Sequence, residues 1–402
     1  MSRPPTTRGF WSHILPPKVT PSALSFTRTW ALGPALVAAC LFLCLSGLLL
    51  ALAYVPHIDH AYASVIDIQY AHTGGSILRA FHRWCAYLAL LLATLHLLRI
   101  WLTDAMLGRV VLWCQGLALF GVLILSAYTG YLLPWDHDAY WAATIANHTF
   151  DAIPGVGPWV KGFLLGTQSQ NAPIPRLFVF HTLLLPAALL LLLAAHLYHL
   201  RRPRNAPHSP QPILKSTPHL STRLAAIALA LLTLLTLIAA HFPAPLSPPP
   251  HLSAPNDPEK APWFFLWLQE AVAYHTTVGG LILPLALALT LLALPVIRAP
   301  NGLLPWPQRT SWRVASLCLS ATLFAMMVAL HQHMPPPPEL AALLNPAVGI
   351  LLLTTLQVAF FLRRRAPDHA RDALFIAFAV TILGLSLAAA ARGSHWLLIH
   401  TP

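Results

Sequence analysis

Nine stretches of mainly apolar residues run along the chain, at about 30–54, 79–101, 111–133, 176–200, 223–241, 275–298, 312–331, 342–362 and 372–391. A helix that crosses a bilayer needs about 20 such residues. Polar, Gly- or Pro-bearing segments separate them, and two of these are long. Residues 134–175 contain the amphipathic run YWAATIANHTFDAIPGVGPWVKGFLLG, and residues 242–274 are proline-rich before PNDPEKAPWFFLWLQE. Long connections in a compact membrane protein tend to carry function. The pattern predicts an all-α membrane protein of about nine transmembrane helices.

Composition agrees. The 402 residues are 57% hydrophobic and 9% charged, against roughly 25% charged in an average soluble domain. The net charge of +12 does not indicate nucleic acid, because basic residues gather in cytoplasmic loops. With the N-terminus cytoplasmic, 18 of the 24 lysines and arginines fall on one side of a nine-span topology. That places the C-terminus outside. The basic, proline-rich first 28 residues lack the short apolar core of a cleavable leader, so none is expected. Five cysteines (Cys40, Cys44, Cys85, Cys114, Cys318) lie inside apolar runs without a CxxCH motif. They read as buried thiols.

Ionisable or ligating side chains inside a span are costly and are functional candidates by default. The second segment carries His82 and His96, and the fourth carries His181 and His196. At about 100° per residue, fourteen steps fall roughly 40° short of four turns and fifteen overshoot by roughly 60°. Each pair therefore shares one broad face, about 21–22 Å apart along its helix. Both helices run in the same direction across the membrane. His82 then lies level with His181 at the outer side, and His96 with His196 at the inner side. Two imidazoles at each of two heights can hold two bis-histidine irons, and histidine is a haem axial ligand.

The glycines repeat the period. Gly33 and Gly47 on the first segment are fourteen apart, as are Gly116 and Gly130 on the third. Glycine permits close approach of a ligand to backbone. Arg79, Arg83 and Arg99 flank the second segment's histidines, and guanidinium groups suit haem propionates.

These residues, with RAFHRW, LHLLRIWL, GYLLPW, DAIPGVG and FHTLLLP, resemble cytochrome b of the cytochrome bc (quinol:cytochrome c reductase) family. The fifteen-residue spacing looks closest to the chloroplast-type haem core, here fused to the C-terminal quinol-site half. The resemblance implies an N-terminal arm (1–29), a four-helix di-haem core (30–205), a C-terminal half with the outer quinol-site loop (206–364), and an additional helix and tail (365–402). It implies two non-covalent b-type haems on His82/His181 and His96/His196. Ala31 stands where the chloroplast type attaches a further haem through cysteine, so no covalent haem is expected. The implied outer quinol site comprises Tyr131, Pro134, Trp135, Pro262, Trp263 and Phe264. The inner quinone site comprises His199, Arg201 and His219. The implied partners are a Rieske-type iron–sulfur protein, a c-type cytochrome and a second copy of the complex, among the lipids of a bacterial-type inner membrane.

One departure stands out. The family's Pro-Glu-Trp-Tyr is here Ala261-Pro262-Trp263-Phe264, without the acid that accepts a quinol proton. Asp257, Glu259 and Glu270 are the nearby substitutes. Two alternatives stay open: a cytochrome b paralogue in a differently composed electron-transfer complex, and a transporter without cofactor.

Overall fold

A computed structural model describes residues 18–19, 30–164, 166, 173–200, 214–250, 260–297, 306–333 and 346–391. It is all-helical apart from one two-residue antiparallel pairing of β1 (Lys18–Val19) with β2 (Leu214–Lys215). The helices are α1 (Leu32–Ala51), α2 (Ala61–Tyr70), α3 (Gly75–Leu102), α4 (Val110–Leu132), α5 (His137–Asp151), α6 (Gly157–Leu164) and α7 (Pro173–Leu200). They continue as α8 (Ser216–His241), α9 (Leu266–Tyr274), α10 (Val278–Ala293), α11 (Trp306–His333), α12 (Pro346–Arg363) and α13 (Pro367–Ala391).

Seven helices among the described residues are long and apolar enough to cross a membrane: α1, α3, α4, α7, α8, α11 and α13. The sixth and eighth apolar segments of the sequence form shorter apolar helices, Val278–Ala293 and Val348–Arg363. Most of the long helices are apolar on several faces, with Leu45, Leu48, Leu191 and Leu229 exposed. A helix that turns apolar side chains outward as well as inward suits lipid.

The chain forms two units. The first comprises Met1–Asp136 and Gln168–Pro249, the second His137–Thr167 and Pro250–Pro402. In the first unit α1 packs along α3 and α4 along α7, while α3 meets α4 and α1 meets the early part of α7. These four helices make the bundle. Gly75 allows the start of α3 to run directly against the end of α2, where a Cβ would strike the Ile68 carbonyl. α8 lies on α3 and α1.

In the second unit α13 packs against α9, α10, α11 and α12, so the last helix is central to it. Small residues bring the backbones close, as is usual where lipid gives helices no hydrophobic drive to associate. A Cβ on Gly384 would lie 2.6 Å from the Phe324 ring, and one on Gly349 would overlap Met327. The first turns of α13 are charged yet buried. Arg313 of α11 grips Asp372 with two bonds of 2.9 and 3.0 Å. Arg371, fully buried, donates to Asp368 at 3.0 Å and to the Ile297 carbonyl at 3.1 Å. Phe361 stacks on His369.

Two helices contain a five-residue π turn, Phe180–Leu184 in α7 and Val278–Ile282 in α10. Each is closed by an N–H bonding the carbonyl five residues back, Leu185 to Phe180 and Leu283 to Val278. A proline follows each turn by two residues, Pro186 and Pro284. Proline has no N–H for the regular bond to the carbonyl four residues back, and freeing that carbonyl lets the preceding turn widen.

Candidate haem and quinone sites

α3 and α7 each bring two histidines into the bundle, and the first pair meets. The rings of His82 and His181 have centroids 6.1 Å apart, with planes at 78°. Imidazoles that share one metal through bonds of about 2 Å have centroids roughly 6 Å apart. His181 lies inside the π turn. A π turn takes up one residue more than an α turn, so the fifteen-residue step to His196 has the phase of fourteen α-helical residues. The mismatch expected from spacing alone is thereby removed.

Hydrogen bonds fix which nitrogen of each ring is available. His181 Nδ1 lies 2.9 Å from the Ser126 carbonyl, which only accepts, so Nδ1 carries the proton. Thr129 Oγ1 stands 3.3 Å away on the same side. His82 Nδ1 lies 2.9 Å from Ser46 Oγ, whose single proton goes to the Phe42 carbonyl at 2.6 Å. Here too Nδ1 donates. Both rings keep Nε2 as the lone-pair nitrogen, the arrangement by which outer partners orient metal-ligating histidines.

His96 lies within electrostatic reach of His196. Their Nδ1 atoms are buried with no partner in hydrogen-bond geometry among the described residues. The Leu112 carbonyl is a backbone neighbour of His196, outside that geometry.

Three of the four glycines face a histidine ring. A Cβ on Gly47 would lie 3.1 Å from His82 Cε1, one on Gly130 2.5 Å from His181 Cε1, and one on Gly116 3.9 Å from His196 Cε1. Gly33 differs, with no atom within 4 Å of its Cβ position.

The arginines are used unevenly. Arg79 donates to Gln69 and to the carbonyls of Ala244 (2.9 Å) and Pro245 (2.5 Å). It fastens the segment after α8 to the bundle, together with Trp84 on the Phe242 carbonyl and Tyr62 on the Ser247 carbonyl. Asp136 completes this strap by accepting from the Ser247 N–H at 3.1 Å. Burial and the Asp136 carboxylate push the Tyr62 phenol up, which keeps it a donor. Arg83 bonds the Tyr87 hydroxyl at 3.0 Å, and its Nε is buried with no partner among the described residues. Arg99 lies in the last turn of α3 beside His96.

The residues that the resemblance assigns to quinol fall in both units, each group within its own. Tyr131 and Pro134 are half-buried and Trp135 is buried, at the end of α4 in the first unit. Pro262 and Phe264 are half-buried and Trp263 is exposed, ahead of α9 in the second. There Gln269 accepts from the Ala261 N–H at 2.8 Å, and Lys260 reaches the Ala390 carbonyl in the last turn of α13. Glu270 is fully buried. Asp257, Glu259 and Arg201 lie outside the described residues, as does the side chain of His219. His199, on α7, bonds the Ala195 carbonyl and the amide of Gln115.

Ser46, Ser126, Gln115 and Asp136 escaped the sequence reading. Ser46 precedes a flagged glycine by one residue and Ser126 by four, but only the fold turns them toward the rings.

Fold and histidines together define an integral membrane protein whose helical bundle pairs buried imidazoles from two helices. A family model described as Cytochrome b/b6/petB matches residues 17–204. The cytochrome b of Solanum tuberosum is 31% identical over 324 residues, covering 75% of this chain and 80% of that protein. The menaquinol:cytochrome c reductase cytochrome b subunit of Geobacillus thermodenitrificans is 34% identical over 201 residues, 49% of this chain and 90% of that one. A solved structure titled Hyperthermophilic respiratory Complex III has the same fold, with TM-score 0.65 at 23% identity over 92% of this chain and 96% of that chain. The chain belongs to the cytochrome b family. It is a membrane-bound subunit of an electron-transport oxidoreductase.

Proposed function

We propose that this chain is the di-haem cytochrome b subunit of a quinol:cytochrome c oxidoreductase, one that oxidises quinol at the outer face and serves an inner quinone site. The observation that carries the proposal is the His82–His181 pair, with centroids 6.1 Å apart and Nδ1 protons directed to Ser46 and the Ser126 carbonyl. The donor set fits a bis-imidazole iron, and Gly47, Gly116 and Gly130 keep side chains off the rings. His96 and His196 are the ligands of the second level.

A b-type haem at each level would supply one-electron transfer across the membrane. The chain's own part is to hold and orient. Ser46 and Ser126 lock the tautomers, and Arg83, with a buried Nε to spare, is the propionate partner. Arg79 is committed to the 244–245 backbone and contributes first to the strap. Arg99 serves the inner level. Quinol binding is assigned to Tyr131, Pro134 and Trp135 in one unit and to Pro262, Trp263 and Phe264 in the other. Asp257, Glu259 and Glu270 are the proton-acceptor candidates, and His199, Arg201 and His219 form the inner site. The partners are a Rieske-type iron–sulfur protein and a c-type cytochrome, in a dimeric complex of a bacterial inner membrane. The asymmetry of lysines and arginines argues for an outer C-terminus and a cytoplasmic N-terminus, with the end of α13 beside Lys260.

A redox-difference spectrum of the purified complex tests this reading. Two b-type components are expected. His82→Ala and His181→Ala should remove one of them, and His96→Ala and His196→Ala the other. A spectrum without haem would end the proposal in favour of a cofactor-free transporter.

The absent acid at Ala261–Phe264 favours a second reading, a paralogue with a modified quinol site. Quinol:cytochrome c reductase activity separates the two. Loss of quinol oxidation in Glu270→Gln or Glu259→Gln identifies a substitute acid, and full activity in both removes these two candidates.

A further inference from the structure

The Gln115–His199 contact joins α4 to α7 at the second histidine level. Gln115 Nε2 lies 3.0 Å from His199 Nδ1, and the same Nδ1 lies 2.9 Å from the Ala195 carbonyl. Gln115 adjoins Gly116, which faces His196. His199 follows His196 by three residues and packs its ring edge on Tyr198. Gln115 Oε1 is buried and has no hydrogen-bond partner among the described residues.

The Ala195 carbonyl can only accept, so it favours a proton on Nδ1. An amide can either accept or donate, because a half-turn about its last torsion exchanges O and N. With Oε1 toward the ring, Gln115 joins Ala195 in accepting from Nδ1–H, and Nε2 of His199 is then the lone-pair nitrogen. With the amide nitrogen toward the ring, Gln115 donates to Nδ1, and Nε2 carries the proton. Each orientation leaves one end of the amide in the partnerless place, Oε1 in the second and the NH2 in the first, and only the first gives the Ala195 carbonyl the Nδ1 proton. The two states therefore differ by about one hydrogen bond, a gap that a ligand's own hydrogen bond can offset.

A quinone and its quinol require opposite partners. The quinone carbonyl only accepts, while the quinol hydroxyl donates. We infer that Gln115 is a positioning residue for the inner quinone site: by turning its amide it sets the tautomer of His199, so that one imidazole can donate to the quinone or accept from the quinol. This rests on the assignment of His199 to that site under the proposed function. A leucine, which fills the same space, could do neither. A glutamate, when ionised, could only accept.

The test uses the intact purified complex and a decyl-tailed naphthoquinone with its quinol as probes. Binding and KM are measured for both forms with the outer site blocked by a quinol-site inhibitor. The b-type haem spectrum is recorded as a check that the bundle is intact. Gln115→Glu should weaken quinone binding about tenfold and leave quinol binding within about twofold, the loss expected for one hydrogen bond. Gln115→Leu should weaken quinone binding similarly, with kcat less affected than KM. Gln115→Asn, whose shorter amide is reversible in the same way, should recover part of the loss. A quinone-to-quinol affinity ratio unchanged in both Gln115→Glu and Gln115→Leu, with binding still lost in His199→Ala, would overturn the role of Gln115 alone. Unchanged binding in His199→Ala would instead overturn the inner-site assignment itself.

Discussion

Ser46 decides which nitrogen of His82 keeps its lone pair. Its hydroxyl gives its proton to the Phe42 carbonyl one turn back and takes the Nδ1 proton of the imidazole. Replacing it with alanine leaves a buried N–H without an acceptor, at a cost of about 1–3 kcal/mol. Ser46→Ala is therefore expected to lower the thermal midpoint and to shift the spectrum of one haem component while the other stays put. Gly130 is under a harder steric limit. The Cβ of Gly130→Ala would lie 2.5 Å from His181 Cε1, so the ring must move, and overpacking of this kind costs roughly 1–3 kcal/mol. The measured outcome should be reduced occupancy of the His82/His181 haem, with Gly33→Ala harmless because nothing lies within 4 Å of that position. The histidines and glycines were legible as residue types at a period. The serine and glutamine partners were not, because a hydrogen bond across helices depends on rotation about each helix axis, which no spacing within one helix records.

At the scale of elements, the π turn reconciles two unequal spacings. Fourteen residues separate the histidines of α3 and fifteen those of α7, and the widened turn at Phe180–Leu184 takes up the difference. Deleting Leu185 together with Pro186→Ala should convert the turn to regular helix and retain both haem components. Deleting Ala89 from α3, which has no such turn between its histidines, should rotate them by about 100° relative to each other and lose one component. Pro186 was the local signal for the bulge. The buried ion pair of α11 and α13 is a second element-scale device. Arg313→Leu or Asp372→Leu would take this partner from the other charge, which is only 4% or 9% exposed respectively, and breaking such a pair typically costs about 3–5 kcal/mol. The double replacement should recover most of that loss, which a double-mutant cycle on thermal unfolding would measure. Hydropathy placed α13 correctly as a ninth segment, but its first charged turn looked like loop. Pairing inside the unit is what makes those charges affordable within a helix.

Across the whole molecule, the four histidines proposed to hold haem and their hydrogen-bond partners all belong to the first unit, while α13 belongs to the second. A chain ending before residue 365 should keep both haem components in its spectrum. The second unit should become protease-sensitive around α9, since α9 and Lys260 lose the helix they pack on and bond to. Loss of haem on that truncation would overturn this expectation.

The amino-acid sequence by itself determined the membrane class, the nine apolar segments and the shared face of the two histidines on each helix. These follow from local quantities: how many apolar residues run together, and how many degrees separate two positions on one helix. It also carried the family, through motifs spread over most of the chain. The tertiary structure alone decided which helix faces which, hence that Ser46, the Ser126 carbonyl and Gln115 meet imidazoles on other helices. It likewise drew Arg79 to the strap and away from the ring it precedes by three residues. Those outcomes depend on contacts between residues 36 to 166 positions apart in the chain, and their energies are settled only when the helices pack.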